Sequence, residues 1–167
     1  QQDVTGIVGR ALLDHSVPPH LLELEITETA AMHNAEAAAT ALEKLKALGV
    51  RIAIDDFGTG YSSLGYLKRF PLDSLKIDRS FIADVPDDRN DSSIAQAVIT
   101  MSHALGLSVV AEGVENERQM AFLVAHGCDE IQGYHLSRPM PATECTAFLR
   151  TRCGPGVSAA DQQKACA

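Results

Sequence analysis

Residues 50–63, Val-Arg-Ile-Ala-Ile-Asp-Asp-Phe-Gly-Thr-Gly-Tyr-Ser-Ser, join an apolar run, two adjacent acids and a loop rich in glycine and serine. The apolar run predicts a buried strand, with Asp55 and Asp56 at its carboxyl end. Neighbouring like charges repel, so two ionised carboxylates in a partly dry cleft need a cation such as Mg²⁺ to compensate. Asp and Gly are also common turn residues. The pair alone leaves a metal site and an acidic turn both open.

The other strand-like segments also end in polar residues. In Leu21–Thr27 apolar and polar residues alternate, and the segment is followed closely by acids. The polar residues at or just after the strand ends are Glu25 and Glu28 for this segment, Lys76 and Asp78 for Leu72–Asp78, Glu112 and Glu115 for Leu107–Glu112, and Gln132 for Asp129–Tyr134. Every predicted strand thus delivers polar side chains at its carboxyl end.

Helical patterns separate these strands, at Asp3–His15, Ala30–Leu48, Ser63–Phe70, Ser92–Leu105, Asn116–His126 and Ala142–Arg150. Strands alternating with helices indicate an α/β fold with a parallel sheet. An open sheet binds its ligand at one crevice, whereas a barrel brings every strand's carboxyl end to one rim. Because all the predicted ends are polar, we predict a (β/α)8 TIM-type barrel. A complete barrel takes eight strands and about 250 residues. The chain has 167, so we expect an amino-terminally truncated barrel of about five βα units.

Composition narrows the class of protein. The chain is 46% hydrophobic and 22% charged, which is enough to build a core, and no apolar run approaches the roughly 20 residues of a membrane helix. A formal net charge of −8 argues against binding to duplex nucleic acid. The cysteines, Cys128, Cys145, Cys153 and Cys166, form no Cys-x-x-Cys pair, which indicates reduced thiols and a cytoplasmic location. Residues 154–167 are predicted to be a flexible tail or linker after a domain at residues 1–153.

Five stretches, taken in order, resemble the motifs of EAL domains, which are bacterial cyclic di-GMP phosphodiesterases. They are Glu-Ile-Thr-Glu at 25–28, Asp-Asp-Phe-Gly-Thr-Gly-Tyr-Ser-Ser-Leu at 55–64, Leu-Lys-Ile-Asp at 75–78, Ala-Glu-Gly-Val-Glu at 111–115 and Gln-Gly-Tyr at 132–134. The resemblance covers about Val4 to Arg150. It implies hydrolysis of cyclic di-GMP to linear pGpG at a two-metal site that holds Mg²⁺ or Mn²⁺.

The resemblance also implies a role for each polar strand end. The implied metal ligands are Glu25, Asp55, Asp56 and Glu112. Lys76 would hold and polarise the attacking water, and Glu112 would help to take its proton. The implied supporting residues are Glu28, which would brace the loop at 55–64, Gln132 beside the water or ligand, and Asp78 and Glu115 next to the metals.

Several of these roles have simpler structural alternatives. Lys76 could do no more than pair with a carboxylate at the rim, and Asp78 could cap a helix that begins near Arg79. Glu28 and Glu115 could be solvated acids at helix starts, where the helix dipole stabilises them.

The chain departs from the family pattern at its beginning. The motif Glu-Ala-Leu, followed in the family by an Arg, does not occur, and neither does an Asn-bearing strand that would precede the first helix. We therefore expect weak or no hydrolysis by this chain alone. Two alternatives stay open: a non-catalytic module that binds cyclic di-GMP or a protein, and an inactive fragment that dimerises. The expected partners are cyclic di-GMP, a second copy in a homodimer, and flanking sensory or GGDEF domains.

Overall fold

The computed structural model describes residues 3–60 and 64–153. It contains a sheet of five parallel strands, each paired with the next along the chain. The strands are β1 (Glu23–Thr27), β2 (Arg51–Phe57), β3 (Ser74–Ile77), β4 (Ser108–Glu112) and β5 (Glu130–Gln132). The predicted α/β class, with five parallel strands alternating with helices, is confirmed. The predicted tail at 154–167 lies outside the described residues.

Helices occupy the connections between the strands. They are α1 (Val4–Asp14), α2 (Glu28–His33), α3 (Ala35–Lys46), α4 (Leu64–Leu67), α5 (Arg89–Ala104), α6 (Glu117–Ala125) and α7 (Ala142–Cys153), with short 3-10 helices at Pro19–Leu21 and Arg79–Phe81. The helix α5 begins before the predicted Ser92, because the Asp88 carboxylate accepts hydrogen bonds from the backbone N–H groups of Asn90 and Asp91.

The single helix predicted at Ala30–Leu48 is wrong, because the structure has the two helices α2 and α3 in this segment. The break falls at Asn34, whose backbone leaves the helical region at φ −146° and ψ 79°. Its side-chain oxygen accepts a hydrogen bond from the Ala37 N–H at 3.2 Å. An Asn side chain that caps the next helix competes with helix continuation, and this overrides the helix-forming alanines around it.

The core lies along the middle strands of the sheet. The residues that β2, β3 and β4 contribute to it with no exposed surface are Ile52, Ala53, Ile54, Leu75, Ile77, Val109 and Ala111. Burying an aliphatic side chain of valine size or larger contributes roughly 1.5–3 kcal/mol to stability. These strands therefore form the most firmly held part of the fold, and the polar residues at their carboxyl ends are attached to it.

No described helix is both long enough and apolar enough to cross a membrane. Cys128 and Cys145 are free thiols. Burial raises the pKa of Cys128 to about 11, so this thiol stays protonated at neutral pH.

Candidate metal centre

The parallel pairing brings side chains from all five strands to one edge of the sheet. Thr27 at the end of β1 pairs with Asp55 of β2, and Glu112 at the end of β4 pairs with Gln132 of β5. Lys76 of β3 lies between them in the strand order. All of these residues lie at carboxyl ends, which is where barrel enzymes place their active sites.

A bulge in β2 explains how two consecutive aspartates serve one site. Ile54 pairs with Leu75 and Phe57 with Ile77, so β2 has an extra residue between these two pairings. In a regular strand, neighbouring side chains point to opposite faces. Here Asp56 adopts a left-handed backbone with φ 53°, which Asp tolerates better than most residues. The irregularity allows the carboxylates of Asp55 and Asp56 to face the same cluster.

Asp55, Asp56 and Glu112 form the cluster. Each offers one carboxylate oxygen, and these oxygens all lie within 4.8 Å of one another. All three residues are half-buried. Among residues 3–60 and 64–153, no other group of three His, Cys, Asp or Glu side chains is this compact. Carboxylate oxygens in such a cluster are hard ligands of the kind that Mg²⁺ and Mn²⁺ prefer.

The buried Lys76 ammonium joins the cluster to the neighbouring strands. Its Nζ lies 2.6 Å from Glu25 Oε1, 2.6 Å from Glu112 Oε1 and 3.4 Å from Asp55 Oδ1. Burial lowers the pKa of Lys76, but hydrogen bonds to Glu112 and Glu25 outweigh it, so the pKa lies well above its ordinary value. Lys76 therefore carries a fixed positive charge at the rim. Glu25 contacts this ammonium and is not a member of the compact cluster.

The charge around Asp56 is only partly balanced. The pKa of Asp56 is raised mainly by the negative charge of Asp55, then by burial and by Asp78, although Lys76 acts in the opposite direction. A raised carboxyl pKa means that the ionised form is disfavoured where it stands. A divalent cation would relieve this repulsion, so the donor set fits a hard metal ion in both ligand type and charge.

Glu28 holds the loop that follows the aspartates. Its side chain has no exposed surface. Its Oε2 accepts a hydrogen bond from the Gly58 N–H at 2.8 Å, and a methyl group placed on Gly60 would come within 3.0 Å of Oε1. The alternative that Glu28 is a solvated helix-start acid is therefore wrong. Tyr61 to Ser63, the rest of the predicted loop motif, lie outside the described residues.

Asp78, Glu115 and Gln132 surround the cluster without belonging to it. Asp78 accepts a hydrogen bond from the Ser80 N–H at 2.9 Å, so it caps the 3-10 helix Arg79–Phe81. Glu115 and Gln132 are exposed, and with Glu112 they line a cavity of about 500 Å³. The other polar residues that line this cavity are Arg79, Ser80, Gln119 and Tyr134.

Sequence reasoning missed Gln119 as a residue of this region. Its side chain is 3% exposed and makes hydrogen bonds both within its own turn and to the segment after β3. One signal was available, because Asn116 and Gln119 have the spacing of a capping box at a helix start. The hydrogen bonds from Gln119 to the carbonyls of Ile82 and Ala83, 37 and 36 positions earlier in the chain, cannot be predicted from a local sequence pattern.

The EAL domain family model matches residues 3–139, and the chain belongs to this family. Cyclic di-GMP phosphodiesterase NbdA of Pseudomonas aeruginosa is 52% identical over 143 residues, which are 86% of this chain and 18% of that protein. The chain thus spans about a fifth of the length of this curated relative.

Solved EAL structures share the fold. The PaMucR phosphodiesterase in complex with c-di-GMP superposes with a TM-score of 0.83 at 51% identity, over 85% of this chain and 57% of that one. A manganese and cy-diGMP complex of Klebsiella pneumoniae BlrP1 superposes with a TM-score of 0.77 at 34% identity, over 83% of this chain and 36% of that one. The five βα units therefore correspond to part of a TIM-type barrel, as predicted.

Proposed function

We propose that this chain supplies the catalytic rim of a metal-dependent phosphodiesterase that hydrolyses cyclic di-GMP to linear pGpG. The observation that carries the proposal is the compact cluster of Asp55, Asp56 and Glu112 beside the buried Lys76. The named activity of NbdA and the ligand of PaMucR support this substrate.

The metal ligands in this proposal are Asp55, Asp56 and Glu112. Glu25, which contacts Lys76, is a further candidate ligand. A bound divalent cation supplies Lewis-acid chemistry, polarising a phosphoryl oxygen and making water a better nucleophile. The chemistry of the ligands admits Mg²⁺ and Mn²⁺ alike, and the manganese complex of BlrP1 supports Mn²⁺ as the probe for experiments.

In this mechanism Lys76 supplies a positive charge beside the attacking water, and Glu112 accepts the proton of that water. The Lys76 ammonium is anchored by two carboxylates and donates toward the attacking water. Glu112 shares that ammonium and takes the proton that the water loses. The new bond joins the water oxygen to phosphorus, the bond from phosphorus to the ribose 3′ oxygen breaks, and that oxygen takes up a proton. The product is a linear dinucleotide with a 5′ phosphate.

The cavity next to Glu112 gives the substrate a place to lie. Arg79 offers a positive charge for a phosphate, and Tyr134 offers an aromatic face for a guanine base. The guanidinium carbon of Arg138 lies 4.8 Å from the centre of the Tyr134 ring, within the range of a cation–π contact. Homodimerisation, flanking sensory or GGDEF domains and a cytoplasmic location stay predictions.

The test compares Lys76→Met and Glu112→Gln in the full-length protein, with cyclic di-GMP and Mn²⁺. Both substitutions are expected to lower turnover by at least a hundredfold, because each removes a group that acts on the water. The exposed residues Lys44 and Glu43 of α3 give matched controls, Lys44→Met and Glu43→Gln, with unchanged turnover. Wild-type turnover in either rim variant would refute these roles.

A further inference from the structure

Gln119 lies at the start of α6 and lines the cavity beside Glu112. The residue is 3% exposed, and both the oxygen and the nitrogen of its carboxamide make hydrogen bonds. The oxygen Oε1 accepts hydrogen bonds from the backbone N–H groups of Glu115 at 2.7 Å and Asn116 at 3.1 Å. The nitrogen Nε2 donates to the backbone carbonyls of Ile82 at 3.1 Å and Ala83 at 2.9 Å.

These bonds connect two separate loops at the rim. Glu115 and Asn116 belong to the turn that follows Glu112 of β4. Ile82 and Ala83 follow the 3-10 helix that Asp78 caps after β3. Helix capping needs only the acceptor half of Gln119. The donor half has a different effect, because it ties the segment after β3 to the turn after β4.

The segment 79–83 packs closely against two glycines that lie near the proposed metal ligands in sequence, Gly58 and Gly113. A Cβ on Gly58, two residues after Asp56, would lie 2.8 Å from Cε2 of the Phe81 ring. A Cβ on Gly113, next to Glu112, would lie 2.5 Å from Cβ of Arg79. The segment 79–83 is therefore wedged between the loop that follows the aspartates of β2 and the turn that follows Glu112 of β4.

We propose that Gln119 is a positioning residue for the metal centre, acting through this wedge to set the spacing between Asp56 and Glu112. The proposal rests on the proposed function, in that it takes the carboxylate cluster to be a metal site. Buried amides with every donor and acceptor satisfied hold one geometry firmly. Groups that orient metal ligands typically account for 10–100-fold in metal affinity or activity.

Two substitutions separate the bridge from the helix cap. Gln119→Glu keeps an acceptor of the kind that capping boxes use, but it cannot donate to the Ile82 and Ala83 carbonyls. Gln119→Met keeps the length of the side chain but loses both the acceptor oxygen and the donor nitrogen. Gln96 is an exposed glutamine of α5, so Gln96→Glu and Gln96→Met are matched controls.

The experiment measures the Mn²⁺ dissociation constant of the full-length protein by calorimetry, and kcat, KM and the Mn²⁺ concentration for half-maximal turnover of cyclic di-GMP. Gln119→Glu and Gln119→Met are expected to raise both Mn²⁺ constants by at least tenfold. Saturating Mn²⁺ should restore kcat toward the wild-type value, with KM for cyclic di-GMP within twofold. A purely structural role would lower the melting temperature in EDTA and leave the Mn²⁺ constants of the folded protein unchanged.

If the Gln119 variants do not fold, Phe81→Leu tests the proposal instead. It shortens the side chain of segment 79–83 that packs against Gly58, and it removes no side-chain hydrogen bond. It should raise the Mn²⁺ constants by several fold. Mn²⁺ constants within twofold of wild type in the folded variants would overturn the proposal and leave the phosphodiesterase assignment intact. A wild-type protein that neither binds Mn²⁺ nor cleaves cyclic di-GMP would overturn both.

Discussion

The ammonium nitrogen of Lys76 lies 2.6 Å from a carboxylate oxygen of Glu112 on the next strand. The same nitrogen lies 2.6 Å from Glu25, on the strand beyond β2, so one buried cation ties β1 and β4 together at the rim. These contacts give the Lys76 ammonium a structural role and, in the proposed mechanism, a chemical one. The ammonium offsets the repulsion among the rim carboxylates. In the proposed mechanism it also donates a hydrogen bond to the attacking water.

The first prediction concerns the structural side of Lys76. Lys76→Met should lower the free energy of unfolding in EDTA by about 2–3 kcal/mol, because it leaves rim carboxylates without their cation. The loss is smaller than for a fully buried pair, since the partner side chains are 20–47% exposed. Added Mn²⁺ should stabilise this variant more than the wild type, as followed by thermal unfolding. An equal Mn²⁺ effect in both proteins would contradict this account.

The second prediction follows from the raised pKa of Asp56. A carboxyl whose folded pKa exceeds its unfolded pKa gives stability below the unfolded pKa, and that stability is lost as the pH rises through the folded pKa. At neutral pH without metal, ionised Asp56 therefore disfavours folding. Asp56→Asn should raise the melting temperature in EDTA at pH 7, since Asn also tolerates the left-handed backbone.

Calorimetry on Asp56→Asn should at the same time show Mn²⁺ affinity at least tenfold weaker than in the wild type, because the substitution removes the charge of a proposed metal ligand. Asp91, another acid whose pKa is raised, chiefly by burial, lies in α5 away from the cluster. The control Asp91→Asn should leave Mn²⁺ binding unchanged. If Asp56→Asn bound Mn²⁺ with wild-type affinity, Asp56 would not be a metal ligand.

The third prediction concerns the loop brace. Glu28→Ala should reduce the free energy of unfolding by about 1.5–3 kcal/mol, the range for hydrogen bonds to charged groups. The comparison is Glu36→Ala, which removes an ion pair to Arg69 whose side chains are 68% and 54% exposed. Such exposed pairs contribute about 0–1 kcal/mol. Urea unfolding of both variants measures the difference, and equal losses would show that Glu28 does not brace the Gly58 loop.

The fourth prediction isolates the contact between Gly58 and Phe81. Gly58 and Gly106 both have positive φ, at +98° and +76°, but an added Cβ at Gly106 would meet nothing within 4 Å. Gly106→Ala should therefore cost only backbone strain of about 1–2 kcal/mol. Gly58→Ala should cost more, because its Cβ also meets the Phe81 ring, and combining it with Phe81→Leu should recover part of the excess. Equal costs at the two glycines would argue against the wedge.

Much of the fold could be predicted because its signals are local. The alternation at Leu21–Thr27 and the apolar run before Asp55 indicate strands, and both strands are present. The break at Asn34 was missed because a single capping residue outweighed a long run of helix formers.

The polar strand ends that meet at the rim were also predicted, since parallel strands bring their carboxyl ends to one edge. The bulge that turns Asp55 and Asp56 to one cluster depends on pairing with β3. The bridge through Gln119 depends on contacts between distant loops. Neither follows from any short window of sequence.

The most direct test of the phosphodiesterase assignment is chromatography of the products formed from cyclic di-GMP by the full-length protein with Mn²⁺. We expect linear pGpG to accumulate and EDTA to stop its formation. Glu112→Gln should reduce pGpG formation at least a hundredfold, whereas Glu43→Gln should leave it unchanged. Absence of pGpG from the wild-type protein with Mn²⁺, or formation at the same rate in EDTA, would contradict the assignment.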